Sequence, residues 1–250
     1  MALWCRDCAT VRPAAAVRPT PITIVVPYYE HPIFFRAQLG RWADWRETTR
    51  ALLHVIVVDD GSPSHPAIDI VRAMGWPAWL RVFRIEIDIR WNWLAARNIG
   101  AHHAADRWLL LTDMDHVVPE ETFRSVCHAA LDPAVVYAFA RREHTGEMVP
   151  PHSASFLLTR DLFWRIGGYD ERLSGYYGTD GTFRREIGRF ATIQLLTDAL
   201  ERHEYIDDAS VVRYGRKQPE DARVRDLVAA RRMGWRPKVL SFPYHEELAE

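Results

Sequence analysis

Four apolar runs of strand length alternate with helical stretches between residues 22 and 131, and this rhythm restricts the fold more than any other feature. Ile22 to Val26 is rich in β-branched residues and ends abruptly at Pro27. Helical spacing follows from Ile33 to Trp45, with Phe34, Leu39 and Trp42 as anchors. Leu52 to Val58 is a second strand, broken by Asp59-Asp60-Gly61-Ser62-Pro63, and Pro66 to Met74 reads as a helix. Leu80 to Ile89 alternates Val82, Ile85 and Ile87 with charged residues, as a half-exposed strand does. Asn92 to Ala105 is helical, and Arg107 to Thr112 is the fourth strand. Its Trp108 to Leu111 core is too short for a helix and suits burial on both faces. The expected fold is α/β and Rossmann-like: a mixed, mainly parallel central sheet flanked by helices on both faces.

In such sheets ligands bind outside the carboxyl ends of the strands. Three of these ends carry polar residues: Tyr28-Tyr29, Asp59-Asp60 and Asp113-Met114-Asp115. Alternate residues of an extended segment point the same way, so Asp113 and Asp115 can share a side while Met114 faces the opposite one. Two hard oxygen ligands at a sheet edge suit Mg²⁺ or Mn²⁺ carrying a diphosphate. Without such a role, the same aspartates would simply cap the turn before Pro119.

After Pro133 the rhythm changes. Val135 to Ala140 and Ser153 to Leu158 suggest antiparallel additions, and Asp161 to Ile166 is a short helix stopped by Gly167-Gly168. The stretch Gly175-Tyr176-Tyr177-Gly178-Thr179-Asp180-Gly181 is dense in glycine and aromatics, and a helix begins near Thr182. A further helix is expected over Ala222 to Met233. Residues 1 to about 20 look like a loose tail.

The balance of 32 Lys and Arg against 33 Asp and Glu leaves a net charge of −1, so no global field draws nucleic acid. No apolar run approaches the roughly 20 residues that span a bilayer, and the first residues lack a secretory pattern. A cytoplasmic protein is expected. Cys5, Cys8 and Cys127 make an odd count, and the Cys5–Cys8 pair has no second pair to complete a zinc site.

Five motifs then carry a resemblance. They are Val25-Val26-Pro27-Tyr28-Tyr29, Val57-Val58-Asp59-Asp60-Gly61-Ser62, Ala96-Arg97-Asn98-Ile99-Gly100, Thr112-Asp113-Met114-Asp115 and Gly167-Gly168-Tyr169-Asp170-Glu171. In this order they resemble a family 2 glycosyltransferase with the GT-A (nucleotide-diphosphosugar transferase) fold, from about Ile22 to about His203. The glycine-aromatic stretch before Asp180 is similar to the acceptor segment of β-galactosyltransferase-like enzymes.

The resemblance implies roles for individual residues. Pro27 and Tyr29 would line the nucleobase pocket, and Asp59 or Asp60 would accept a hydrogen bond from uracil. Arg97 would sit near the diphosphate, with Asp113 and Met114 also at the donor. Asp113 and Asp115 would hold Mn²⁺ or Mg²⁺, joined by His203, with His245 as the other histidine to consider. Asp180 would be the catalytic base, and Tyr176, Tyr177, Gly178 and Thr179 would line the acceptor. The usual Glu-Asp pair is Thr179-Asp180 here, so the acceptor-positioning Glu is absent. His102 and His103 are expected on a helix surface.

The implied activity is metal-dependent, inverting transfer of a hexose from a nucleotide-diphosphate sugar, UDP-sugar foremost, to a hydroxyl of a glycan or other glycoconjugate. The implied layout has a GT-A domain over 21–204, nucleotide-binding to about 118 and acceptor-binding beyond it. A helical extension over 205–250 packs on this domain. Two other classes stay open. One is a non-catalytic sugar-nucleotide or glycan-binding protein, and the other a nucleotidyltransferase. The latter normally has a Gly-rich basic loop after the first strand, where this chain reads Pro27-Tyr28-Tyr29-Glu30-His31.

Overall fold

Alternate residues of the central strands divide into two apolar layers, one on each side of a single sheet. The computed structural model describes residues 10–11, 19–204 and 236–248. In chain order the strands are β1 (Thr10–Val11), β2 (Ile22–Tyr28), β3 (Leu53–Asp59), β4 (Leu80–Ile85), β5 (Trp108–Leu111) and β6 (His116–Val117). They continue as β7 (Val136–Arg142), β8 (Met148–Val149), β9 (Phe156–Thr159), β10 (Ile193–Arg202) and β11 (Tyr244–Glu247). The helices are α1 (Pro32–Ala43), α2 (Glu47–Arg50), α3 (Ala67–Met74), α4 (Trp93–His103), α5 (Glu120–Cys127), α6 (Arg160–Ile166) and α7 (Asp180–Phe190).

The sheet order is β1-β10-β7-β9-β5-β2-β3-β4-β11, with β6 beside β10 and β8 beside β7. Strands β5, β2, β3 and β4 are mutually parallel. Strand β9 runs antiparallel to both β5 and β7, as the change of rhythm after Pro133 suggested. It follows that β7 and its parallel neighbour β10 point the same way as β5. The carboxyl ends of β2, β3, β4, β5, β7 and β10 therefore open on one edge.

Ile24, Val26, Val55, Val57, Val82 and Leu110 pack on one side with Phe35 and Leu39 of α1 and Ile70 of α3. Val25, Ile56, Val58, Leu109 and Leu111 pack on the other with Leu94 and Ile99 of α4 and Phe163 of α6. Each such side chain contributes about 1.5–3 kcal/mol by leaving water. Helix α4 lies unusually close: a Cβ at Gly100 would stand 2.3 Å from Val25 Cγ1.

Three expectations shift. The first strand runs through Pro27 to Tyr28, because Pro27 lacks only its donor and the ladder to β3 continues past it. Within the expected loose tail, Thr10–Val11 pairs parallel with β10. The C-terminal extension contributes a strand: β11 lies antiparallel on β4 and closes that edge. The expected helix over Ala222 to Met233, and Cys5 and Cys8, lie outside the described residues. Among the described residues no helix is long and apolar enough to cross a membrane.

Candidate active site

The shared edge gathers most of the candidate residues. Past β5 the chain turns at Asp113 to Asp115, with His116 N–H donating to the Asp113 carbonyl at 3.1 Å. Met114 and His116 are buried while the Asp113 and Asp115 carboxylates stay 34% and 40% exposed. Both carboxylates thus reach solvent even though this segment is a turn, not an extended strand. Met114 packs in the core, which leaves only its backbone to face a donor. Gln38 of α1 fixes the turn from behind, donating from Nε2 to the His116 carbonyl at 2.6 Å.

Each carboxylate is held by cationic or polar neighbours. Asp113 Oδ1 accepts from Arg97 Nη2 at 2.5 Å, and its Oδ2 lies 3.5 Å from His152 Nε2. Asp115 Oδ1 lies 2.7 Å from His116 Nδ1, and Arg202 Nε is 4.0 Å from Oδ2. Arg141 Nη1 approaches His116 Nε2 at 3.4 Å. Arginine only donates, so His116 accepts at Nε2 and carries its proton at Nδ1, directed at Asp115. Burial raises the Asp115 carboxyl, but His116, His152 and Arg202 outweigh it and hold the group well below the ordinary carboxylate range.

Arg97 is corrected from a diphosphate contact to a buried support. It has no exposed surface, and its Nη1 donates to the Ala154 carbonyl at 2.5 Å and to Tyr169 Oη at 2.8 Å. Its guanidinium also stacks on Trp93 at 4.9 Å. Burial opposes its charge, yet Tyr169 and Asp113 more than compensate, so it remains a cation. From there it orients the Asp113 carboxylate.

At the end of β3 the two aspartates separate in function. Both oxygens of Asp59 are engaged by Ser62 N–H and Ala67 N–H, each at 2.8 Å, so Asp59 shapes the turn and the start of α3. Asp60 Oδ2 accepts from Asn92 N–H at 3.1 Å, while its buried Oδ1 has no partner among the described residues. Burial and the Asp59 charge raise the Asp60 carboxyl well above its ordinary value. Pro27 is half-buried beside Val58, and Tyr29 Oη donates to Asp88 Oδ1 at 3.1 Å.

Opposite lies the glycine-aromatic loop. Asp180 is the first residue of α7 and Thr179 the cap position, so the helix begins two residues before Thr182. Burial, then the Asp113 charge, raises the Asp180 carboxyl. Tyr177 is exposed and meets Trp91 with ring centroids 4.9 Å apart, Tyr176 is half-buried, and Gly178 has a positive φ of 76°. Thr179 is buried with its hydroxyl unpaired among the described residues. Ser174 Oγ donates to Asn92 Oδ1 at 2.5 Å, joining this loop to the Asp60 pocket.

His203 follows β10 and its N–H donates to the Asp115 carbonyl at 2.9 Å. Its ring stacks on Phe34 at 4.7 Å, and its buried Nε2 has no partner among the described residues. Burial and Arg41 lower its pKa to about 4, so the imidazole is neutral at neutral pH. His245 sits on β11, beyond β2, β3 and β4 from this cluster, against Glu86 and Glu247. It is not part of the site. His103 is half-buried rather than superficial, stacking on Phe83 at 4.3 Å.

Among the described residues no three His, Cys, Asp or Glu side chains already enclose a cation. Mg²⁺-type ions seldom require such a cage, because one or two carboxylates plus substrate phosphates and water complete the shell. Two exposed carboxylates and an orphaned neutral imidazole are a donor set of the right chemistry for Mn²⁺ or Mg²⁺.

His116, His152, Arg141 and Asn92 escaped sequence reading. His116 adjoins Asp115 and was within reach of it. The others are brought in by loops and strand ends that no local pattern links to the Asp pair.

A mixed sheet covered on both faces, with carboxylates and imidazoles gathered at the carboxyl edge of its parallel strands, has the GT-A glycosyltransferase fold. Residues 23–188 match the model of glycosyl transferase family 2, and the chain belongs to that family. No curated protein matches the sequence. Solved structures share the fold. The S. aureus TarS 1–349 fragment, in complex with UDP-GlcNAc, superposes with a TM-score of 0.65 at 19% identity over 84% of this chain and 66% of that one. The Pyrobaculum calidifontis mannosyltransferase PcManGT, with GDP-Man and Mn²⁺, gives 0.59 at 19% over 90% and 71%. GalNAc-T7, with UDP, GalNAc and Mn²⁺, gives 0.61 at 14% over 76% and 44%. The chain thus spans about two thirds or less of the TarS and GalNAc-T7 chains.

Proposed function

We propose that the protein transfers a hexose from a nucleotide-diphosphate sugar, a UDP-sugar, to a hydroxyl of a glycan or other glycoconjugate. A divalent cation, Mn²⁺ or Mg²⁺, is its cofactor, and the cytoplasm its place of action. The observation that carries this reading is the meeting of Asp113, Asp115, His203 and Asp180 at one sheet edge. The nucleotide-sugar complexes of TarS and PcManGT, and the Mn²⁺ of PcManGT and GalNAc-T7, support the same donor class and cofactor here.

Asp60 Oδ1, a buried acceptor without a partner, suits the imide N–H of uracil between Pro27 and Tyr29. Asp113 and Asp115, with His203, would hold the cation, which when bound supplies a Lewis acid for the negative charge of the leaving diphosphate. Arg97 and His116 orient the two carboxylates, and His116 also helps keep Asp115 ionised. Tyr176, Tyr177, Gly178 and Thr179 present the acceptor hydroxyl to Asp180, which takes its proton during attack. A raised carboxyl pKa makes Asp180 a stronger base than an exposed aspartate. Attack opposite the diphosphate inverts the anomeric carbon.

Melting curves with a panel of nucleotide-diphosphate sugars, with Mn²⁺ and with chelator, test the reading. A donor at about a hundred times its Kd adds roughly 2.7 kcal/mol, or about 5–10 °C, and chelator should abolish the shift. Binding without slow hydrolysis of any donor would favour a binding protein over an enzyme.

A further inference from the structure

With Arg97 sealed in the interior, the charge of a diphosphate at Asp115 needs another protein partner. Strands β7 and β10 run parallel to each other and in the direction of β5, so Arg141 and Arg202 emerge at the same edge as Asp115. Their neighbour Arg142 is already paired with Glu201 and, at 3.7 Å, with Glu121. Arg141 differs. Its only hydrogen-bond contact among the described residues is the 3.4 Å approach to His116 Nε2, and its Nε is buried without a partner. Arg202 Nε stands 4.0 Å from Asp115 Oδ2, and its Nη1 stands 3.5 Å from Glu143 Oε1.

We propose that Arg141, seconded by Arg202, forms an anion-binding pair that takes the phosphate oxygens of the leaving diphosphate. This rests on the nucleotide-sugar reading above and supplies the guanidinium that Arg97 does not. Arginine matches phosphate through two parallel N–H donors, and a half-buried guanidinium that no carboxylate bridges among the described residues gains more from an anion than a solvated one. Burial, and then the charge of Arg202, already lowers the Arg141 pKa. A phosphate arriving between them relieves that repulsion.

The test is calorimetric titration of the full chain with UDP, uridine and pyrophosphate in Mn²⁺, for wild type, Arg141→Ala, Arg141→Lys and Arg202→Gln. Mn²⁺ binding alone is followed by electron paramagnetic resonance. UDP and pyrophosphate affinity should fall roughly 10- to 100-fold in Arg141→Ala and less in Arg141→Lys, with uridine affinity and Mn²⁺ affinity unchanged. Arg202→Gln should weaken the same two ligands, and it carries the test if Arg141→Ala does not fold. Unchanged UDP affinity, or equal losses for UDP and uridine, would overturn the proposal. A fall in Mn²⁺ affinity matching the fall for UDP would also overturn it, because Arg141 would then act only through His116 and Asp115. Wild type that binds pyrophosphate but no nucleotide would keep the anion pair and refute the donor. Failure to bind either would refute both.

Discussion

Asn98 and Glu171, 73 residues apart in the chain, are joined by a 2.8 Å hydrogen bond from Asn98 Nδ2 to Glu171 Oε1. The same Asn98 closes a ring with Tyr169, accepting from its N–H at 2.9 Å and donating to its carbonyl at 2.8 Å. Two of the five motifs are thus partners of each other. They act as scaffold behind Arg97 and Asp113.

Glu171→Ala should therefore destabilise the fold rather than the chemistry. The carboxylate also accepts from Leu240 N–H and Ser241 N–H at 2.7 Å and from Ser241 Oγ at 2.6 Å, tying the C-terminal segment down. A loss of about 2–4 kcal/mol in urea unfolding is expected from the donors left unsatisfied, with the donor affinity of the folded fraction retained. An unchanged unfolding midpoint would contradict this. Neither Glu171 nor Asp170, which is paired with Arg172, is free to serve as an alternative base.

Arg97→Lys should weaken both stability and metal-dependent binding. A lysine cannot reach the Ala154 carbonyl, Tyr169 and Asp113 together, and the Asp113 carboxylate loses its orienting cation. Unfolding should become easier by roughly 2–4 kcal/mol. Mn²⁺ affinity should drop at least about tenfold.

Asp180→Asn separates catalysis from structure. Thr179, not Asp180, holds the cap position, so stability should change by less than about 1 kcal/mol through the helix dipole. Transfer or donor hydrolysis should fall roughly 10²–10⁴-fold with donor affinity intact. Because the wild-type carboxyl is raised, the acid limb of kcat/KM should lie above that of an ordinary aspartate. A near wild-type rate in the variant would leave Asp180 as helix start alone.

His203 provides a pH signature. Its folded pKa of about 4 lies below the unfolded value near 6.5, so between these pH values the unfolded chain binds more protons. Stability from this group is therefore full above about pH 6.5 and is lost as pH falls toward 4. The metal-free protein should lose on the order of 1–3 kcal/mol across that window, and His203→Gln should lose less. Equal pH dependence in the two proteins would contradict the assignment.

What the sequence disclosed follows from how each feature is encoded. The buried strands were legible because Ile22 to Val26 and Trp108 to Leu111 have no other good conformation. The position of Asp113 and Asp115 at a strand end was legible because the apolar run Trp108 to Leu111 stops just before them. Arg97 was misplaced because guanidinium chemistry suits phosphate but says nothing of burial, which Gly100 sets by letting α4 approach Val25. The same limit hid the difference between Asp59 and Asp60, since only the folded turn shows that Asp59 has spent both oxygens. Strand β11 was hidden because Tyr244-His245-Glu246-Glu247 has almost no apolar pattern. It is recruited by β4 pairing and by Arg81, which donates to Glu246 at 2.7 and 2.9 Å.

The most direct measurement is titration of UDP into wild type and Asp115→Asn, each in Mn²⁺ and in chelator. The account predicts saturable binding by wild type in Mn²⁺ that weakens at least about tenfold in chelator, and a variant that is weak in both. Binding by Asp115→Asn equal to wild type, or wild-type binding that chelator leaves untouched, would contradict a cation held at Asp115 for a nucleotide diphosphate.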